Sequence, residues 1–181
     1  MTFDEKTTLQ QLSDPAKQRQ AFSLVVQEYS EQLYWKIRKL VVTHDDANDV
    51  LQNVFIKAWL NIDEFQGKSK LSTWLYRIAV NESLDFLRKQ KSQRSMSADE
   101  DISVANRLLA DDYFNGDEAQ ALLQEAIALL PDVQRTVFTL RYFDEMKYSE
   151  ISKILGTSEG ALKASYHLAV KKITDFFNQH D

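Results

Sequence analysis

Two runs of apolar residues at three-and-four spacing, parted by one short polar loop, restrict this chain more than any other feature. The first run holds Val50, Val54, Phe55, Ala58 and Trp59, and the second Leu71, Trp74, Leu75, Ile78, Leu84 and Leu87. That period lines each set along one face of an α-helix. The stretch 45–91 therefore predicts a pair of amphipathic helices joined through residues 65–72. No regular alternation of apolar and polar residues persists, and 181 residues contain only four glycines and two prolines. Both points predict an all-α fold. The joining loop carries Gly67, Lys68, Ser69 and Lys70, with Phe65 at its base. Cations beside an aromatic ring suit single-stranded nucleic acid, where cations track phosphate and rings stack on bases.

Charge sharpens this reading. The net charge is −5 and the pI about 5.3, which argues against a simple basic DNA-binding patch. The charge is unevenly spread, however. Between Lys68 and Arg94 seven cations (Lys68, Lys70, Arg77, Arg88, Lys89, Lys91, Arg94) face two carboxylates, a local +5. Between Asp99 and Glu118 one cation faces seven carboxylates, a local −6. Two solvated surfaces would account for such blocks. So would one segment that faces phosphate and another that avoids or mimics it.

Ahead of the helical pair, Asp14 and Pro15 read as a cap and first helical residue. The helix they open is expected over residues 15–42, with Phe22, Val25, Val26, Tyr29, Leu33, Ile37 and Leu40 as its buried stripe. His44, Asp45 and Asp46 break it and cap the next helix, where negative charge favours the N-terminus. The outward residues of that next helix are Asp49, Gln52, Asn53 and Lys57. Trp74 has two readings, a core residue or a stacking platform for bases, and its Leu71, Leu75 and Ile78 neighbours favour the core.

The run D-A-x-D-V-x-Q-x-V-F-x-K-A-W from Asp46, followed by F-x-G-x-S-x-x-x-T-W-L-Y-R-I-A-V-N from Phe65, resembles conserved region two of the extracytoplasmic-function (ECF) sigma factors of bacterial RNA polymerase. The resemblance implies that the Asp49, Gln52, Asn53 and Lys57 surface docks onto a coiled coil of the polymerase β′ subunit. Asn53 stands where a glutamate is more usual. It further implies that the loop and following helix meet the minus-ten promoter element. Phe65 and the backbone of Gly67, Lys68 and Ser69 would form a pocket for a flipped base. Asn81 would read a base edge, and Lys68, Lys70, Arg77 and Arg88 would hold phosphates. Extracting a base from its stack costs a few kcal/mol, and a pocket with cations offsets that cost.

Beyond Lys91 the periodicity weakens. Residues 92–116 are polar, acidic and unpatterned apart from Leu108, Leu109, Tyr113 and Phe114, and read as a linker without a core of its own. In the ECF family this connector passes near the RNA exit path. The acidic linker is expected to suit such a channel.

A second helical domain is expected over residues 117–178. Residues 119–130 are helical, Leu130, Pro131 and Asp132 mark a break and restart, and a helix over 132–142 buries Val133, Val137, Phe138 and Leu140. Next comes a helix-turn-helix. Ser149 caps a helix bearing Ile151, Ile154 and Leu155, Gly156 ends it in the left-handed conformation, and Ser158 caps the last helix. Leu162, Tyr166, Ala169 and Ile173 face inward. The second helix of such a unit enters the major groove, so Ser158, Glu159, Gly160, Lys163, Ala164 and His167 are its candidate DNA residues. Lys163, Lys171 and Lys172 are candidates for phosphate. This half resembles conserved region four of the same sigma family, which implies contact with the minus-thirty-five element and the β flap. Ser165 and Leu168 stand where arginines are common.

The reading that follows is a promoter-specificity subunit with two helical domains, no catalytic residue, no cofactor and no metal. Its expected partners are core RNA polymerase, promoter DNA and an anti-sigma factor. A stand-alone helix-turn-helix regulator would explain residues 149–173 but not the first domain. A hydrolase with a His44–Asp45 metal dyad would need further ligands, and only His167 and His180 remain. The absence of cysteine excludes disulfides and thiolate chemistry. No apolar run approaches the roughly 20 residues that span a bilayer, and residues 1–15 carry no secretory pattern. A cytoplasmic protein without membrane insertion is expected. The sequence leaves open whether the two domains stand apart or close on each other.

Overall fold

A computed structural model of the chain describes residues 3–41, 43–94, 108–110 and 116–180. Every described element is helical, as the spacing of the apolar residues predicts. An unanticipated helix, α1 (Glu5–Leu12), opens the chain. Its start is written locally: the Asp4 carboxylate accepts from the Thr7 amide at 2.9 Å, an N-cap with Glu5 in the first turn. Leu12 is buried, and the Phe3 ring meets Tyr29 edge-on at 5.5 Å.

Helix α2 (Gln18–Val41) begins three residues later than expected. Asp14 does not cap a helix starting at Pro15. Its carboxylate accepts from the Ala16 amide at 3.0 Å and its carbonyl from Lys17 and Gln18, so residues 14–17 form a turn. The expected stripe is otherwise in place, with Phe22, Val25, Tyr29, Leu33, Ile37 and Leu40 buried and Val26 partly so. Helix α3 (His44–Leu60) is capped by Thr43, whose hydroxyl accepts from the Asp46 amide at 3.3 Å. Asp45 and Asp46 sit in its first turn instead. Val50, Val54 and Ala58 are buried, while Trp59 lies at the rim, 38% exposed, edge-on to Phe22 at 5.1 Å.

A 3-10 turn (Ile62–Glu64) and an irregular stretch lead into α4 (Leu71–Arg94). The start of α4 is satisfied from far away in sequence: the Glu5 carboxylate of α1 accepts from the Leu71 amide at 3.1 Å. A carboxylate at a helix N-terminus also complements the helix dipole. Leu71, Leu75, Ala79 and Leu87 close one core with α1, α2 and α3.

The second half has its own core. Helix α5 (Glu118–Ala128) opens on a capping box in which Asp117 accepts from Gln120 at 2.8 Å and Gln120 accepts from Asp117 at 3.2 Å. Pro131 then breaks the chain, and α6 (Asp132–Phe138) follows, continued by a π segment (Thr139–Phe143). The buried Arg135 guanidinium donates to the Ala128 and Leu130 carbonyls at 2.8 and 3.2 Å, closing the C-terminal end of α5. Val133, expected inside, is 55% exposed. It belongs to the first turn of α6, outside the core that Phe138 enters with Ala126, Ile127, Leu130, Ala169 and Ile173. Helices α7 (Tyr148–Leu155) and α8 (Glu159–His180) complete the domain.

The linker reading falls mostly outside the described residues. Tyr113, Phe114 and the acidic residues Asp99, Glu100 and Asp101 all lie there. Of its apolar cluster, Leu108 is buried and Leu109 is 49% exposed.

Candidate nucleic-acid interface

Three surfaces hold the residues singled out from the sequence. The first is the outer face of α3. Asp49, Gln52, Asn53 and Lys57 are exposed there, because Val50, Val54 and Ala58 take the opposite face into the core. Two apolar residues share that outer side: Ile56, 54% exposed, and Leu60, 72% exposed. Their only sequence signal is that they fall off the buried stripe, four residues apart, on the same face as Gln52 and Asn53 and one and two turns further along. Lys57 stands differently. Its ammonium donates to the Glu82 carboxylate of α4, and the Glu82 side chain is only 12% exposed. That hydrogen bond raises the lysine pKa above its ordinary value, with desolvation opposing it. Lys57 thus ties α3 to α4.

The second surface is the loop before α4 and the helix face that continues it. Phe65 is half-buried against the core, its ring tilted over Trp74 at 5.1 Å. Trp74 is partly buried in the same place, so its core reading holds, and it backs the Phe65 ring. Gly67, Lys68, Ser69 and Lys70 are exposed. Gly67 has φ +65, and a Cβ there would meet no atom within 4 Å, so the glycine answers to backbone conformation, not space. Arg77, Asn81 and Arg88 are exposed, and steps of four and seven residues put them on one stripe. Asn81 lies seven residues past Trp74, roughly 10 Å along the axis. Arg88 pairs with Asp85 at 3.0 Å, both well exposed, a contact that competes only weakly with a phosphate.

The third surface belongs to α7 and α8. The cap expected at Ser149 is corrected. Helix α7 starts at Tyr148, and the Glu150 carboxylate reaches back to accept from the Lys147 amide at 3.0 Å. Gly156 has φ 66 and ψ 28, the left-handed stop the turn requires. Ser158 caps α8 by accepting from the Ala161 amide at 3.3 Å. Leu162, Ala169 and Ile173 are buried. Consequently Ser158, Glu159, Gly160, Lys163, Ala164, His167, Lys171 and Lys172 are all exposed.

His44 is built into the α2–α3 corner. Its Nδ1 meets the Tyr34 hydroxyl at 2.7 Å, its Nε2 meets the Asn48 amide group at 3.0 Å, and Arg38 donates to the same hydroxyl at 2.7 Å. Among the described residues, no three His, Asp or Glu side chains converge as metal ligands would, and no helix is long and apolar enough to cross a membrane.

A fourth constellation has no counterpart in the sequence reading. Asp144, at the end of the π segment, has a side chain only 6% exposed. It accepts from the Tyr76 hydroxyl of α4 and stands 3.5 Å from the ammonium groups of both Lys36 and Lys39 of α2. Burial, with Asp144 beside it, pushes the Tyr76 phenol far above its ordinary pKa.

Comparison with known proteins agrees with this division. Residues 25–93 match Sigma-70 region 2, and residues 120–173 match Sigma-70, region 4. The chain is 35% identical to the ECF RNA polymerase sigma factor SigW of Bacillus subtilis over 156 residues, 81% of this chain and 83% of that protein. It is 31% identical to the ECF RNA polymerase sigma-E factor of Escherichia coli, covering 81% of each. Among solved structures it is similar in fold to the sigma factor RpoE of Bartonella quintana, bound there to the anti-sigma factor NepR. The TM-score is 0.67 at 22% identity, over 87% of this chain and 96% of that one. CnrH in complex with the cytosolic domain of CnrY gives 0.67 at 21% identity, over 98% and 99%. With two helical domains, an exposed helix-turn-helix and these matches across both halves, the chain belongs to the ECF sigma factors of RNA polymerase.

Proposed function

We propose that the two domains divide transcription initiation between them, with the first docking on core polymerase and opening the minus-ten element and the second choosing the site through the minus-thirty-five element. On this reading Asp49, Gln52 and Asn53, with the exposed Ile56 and Leu60, form the docking face for the β′ coiled coil. Lys57 contributes by fixing α3 against α4. Phe65, backed by Trp74, forms the floor of a pocket for an unstacked base, and the backbone of Gly67, Lys68 and Ser69 its rim. Lys68, Lys70, Arg77 and Arg88 neutralise the non-template strand, and Asn81 reads a base edge with its amide. In the second domain Ser158, Glu159, Gly160, Lys163, Ala164 and His167 enter the major groove, and Lys171 holds phosphate. Leu129, Val133 and Tyr142, all more than half exposed, are the apolar residues offered to the β flap. An anti-sigma factor would cover these same faces.

The observation that carries this reading is the set of exposed residues Lys68, Lys70, Arg77, Asn81 and Arg88, in the loop and helix that follow the Phe65–Trp74 pair, on a chain that also carries a helix-turn-helix with an exposed outer face. A stand-alone regulator would need only the latter, and the match over residues 25–93 weighs against it. The test is reconstitution with core polymerase on a promoter library, with transcript starts mapped. Defined starts that depend on this chain are expected. Asp49→Ala with Gln52→Ala should reduce polymerase affinity and leave the fold intact. Absence of both binding and defined starts would refute the proposal.

A further inference from the structure

The loop before α4 is fastened at both ends by residues from the start of the chain. At its beginning, Ile62 is buried and the Phe65 amide donates to the Ile62 carbonyl at 3.1 Å, closing the 3-10 turn. The Gln18 amide group of α2 donates to the Asp63 carboxylate of that turn at 2.8 Å, across 45 residues of sequence. At its end, the Glu5 carboxylate of α1 accepts from the Leu71 amide at 3.1 Å. Between these anchors Gln66, Gly67, Lys68, Ser69 and Lys70 are exposed. Among the described residues, the side chains of that stretch make no hydrogen bond to the rest of the chain.

The anchor at Leu71 fills a local gap. A helix start leaves its first amides without intrahelical partners. The usual remedy is a Ser, Thr, Asp or Asn just before the helix, but Lys70 holds that place, and its side chain has no acceptor. The first turn of α4 holds no acidic residue either. Glu5 supplies both missing parts, an acceptor for the Leu71 amide and a negative charge at the positive end of the helix. Its own position is fixed, because Thr8 and Leu12 of α1 are buried and Phe3 and Leu9 pack against the first core.

We propose that Glu5 is a positioning residue for promoter opening: through the Leu71 amide it holds the end of the loop, Ser69 and Lys70, in register with Phe65, and Gln18 holds the beginning through Asp63. The inference rests on the functional reading given above, in which this loop rims the pocket for an unstacked base. Glu5 and Gln18 act through the loop and touch no DNA themselves. A loop held at both ends has less conformational freedom to lose when it closes round a base. Loss of an anchor therefore falls on strand opening and on the choice of base, and leaves polymerase docking through α3 unaltered.

The test uses the full chain with core polymerase on promoters varied at the minus-ten element. Glu5→Ala should cut permanganate reactivity of the minus-ten thymines several-fold and relax the preference at the unstacked base, with polymerase affinity unchanged. Glu5→Gln keeps an acceptor oxygen and should recover most of both. Gln18→Ala should act in the same direction as Glu5→Ala. Leu9→Ala is the control: it thins the packing under α1 and leaves both anchors, so it should lower thermal stability without relaxing the preference. Amide hydrogen exchange on the free protein reads the bond itself. Exchange at Leu71 should quicken by roughly tenfold in Glu5→Ala, the scale of one lost hydrogen bond, and stay near the parental rate in Glu5→Gln. Unchanged preference in Glu5→Ala on promoters that the parent opens, equal relaxation in Leu9→Ala, or unchanged exchange at Leu71 would overturn the inference and leave the functional reading standing. A parent protein that opens no promoter would overturn both.

Discussion

Asn81 and Phe65 sit on one surface but differ in what their removal costs. Asn81 is exposed with no core role, so Asn81→Ala should leave thermal stability within about 0.5 kcal/mol of the parent. Its effect should appear in strand opening, read by permanganate reactivity of the minus-ten thymines, with polymerase affinity unchanged. Phe65 is half-buried on Trp74, and truncating it removes packing as well as the proposed pocket floor, so it is the less clean probe. Lys163 makes a different measurement available. Its ammonium is exposed, 5.8 Å from the Tyr148 ring, and free to reach either a base or a phosphate. Lys163→Ala should cost roughly 1–3 kcal/mol with relaxed sequence preference if it reads a base. If it holds phosphate, the loss should be uniform across sequences and the salt slope should fall by about one. A binding series against salt on variant upstream elements distinguishes the two.

At the scale of elements, the join between α3 and α4 matters most, because it holds the proposed docking face and the proposed strand-opening face in fixed relation. Lys57 and Glu82 form that join at the surface. The lysine is largely exposed, so the pair is worth about 0.2–1 kcal/mol at most after screening. A double-mutant cycle of Lys57→Ala and Glu82→Ala should return that coupling. The lysine's folded pKa is raised by Glu82, so its contribution is full below the unfolded value. It should stay constant from pH 6 to 9, and fade only as pH rises past the ordinary lysine value of about 10.4. Urea denaturation carried from pH 6 to beyond about 10.4 checks the sign, with the coupling lost only at the alkaline end. Other elements were readable from local chemistry: the Gly156 stop and the Ser158 cap both stand where residue type alone placed them. The start of α7 was not, because the serine hydroxyl expected to cap it lies inside the helix and a glutamate side chain supplies the bond.

For the whole molecule, the deciding contact is the one between its halves. Each fully buried apolar side chain contributes about 1.5–3 kcal/mol, and among the described residues Tyr76 and Val80 of α4 share one buried cluster with Val137, Leu140, Ile151, Ile154 and Leu162 of the second domain, with Leu84 partly buried against it. Parting the halves would uncover apolar surface on both sides of that cluster. Asp144 ties the two halves at the edge of that cluster through Tyr76, Lys36 and Lys39, so Asp144→Ala should destabilise the chain by roughly 0.5–3 kcal/mol, read by urea denaturation.

Residue order alone determined that this chain is helical, that a basic loop-and-helix surface precedes an acidic stretch, and that a helix-turn-helix follows. Each of those rests on periodicity, capping chemistry or charge within a few residues, where neighbours in sequence are neighbours in space. Tertiary structure alone decided which apolar faces are shared between domains and which polar groups are spent on holding the molecule together. The Glu5 carboxylate meets the Leu71 amide across 66 residues, Lys57 meets Glu82 across 25, and Tyr76 meets Asp144 across 68. No local pattern encodes such pairings, because they exist only once separate helices have packed.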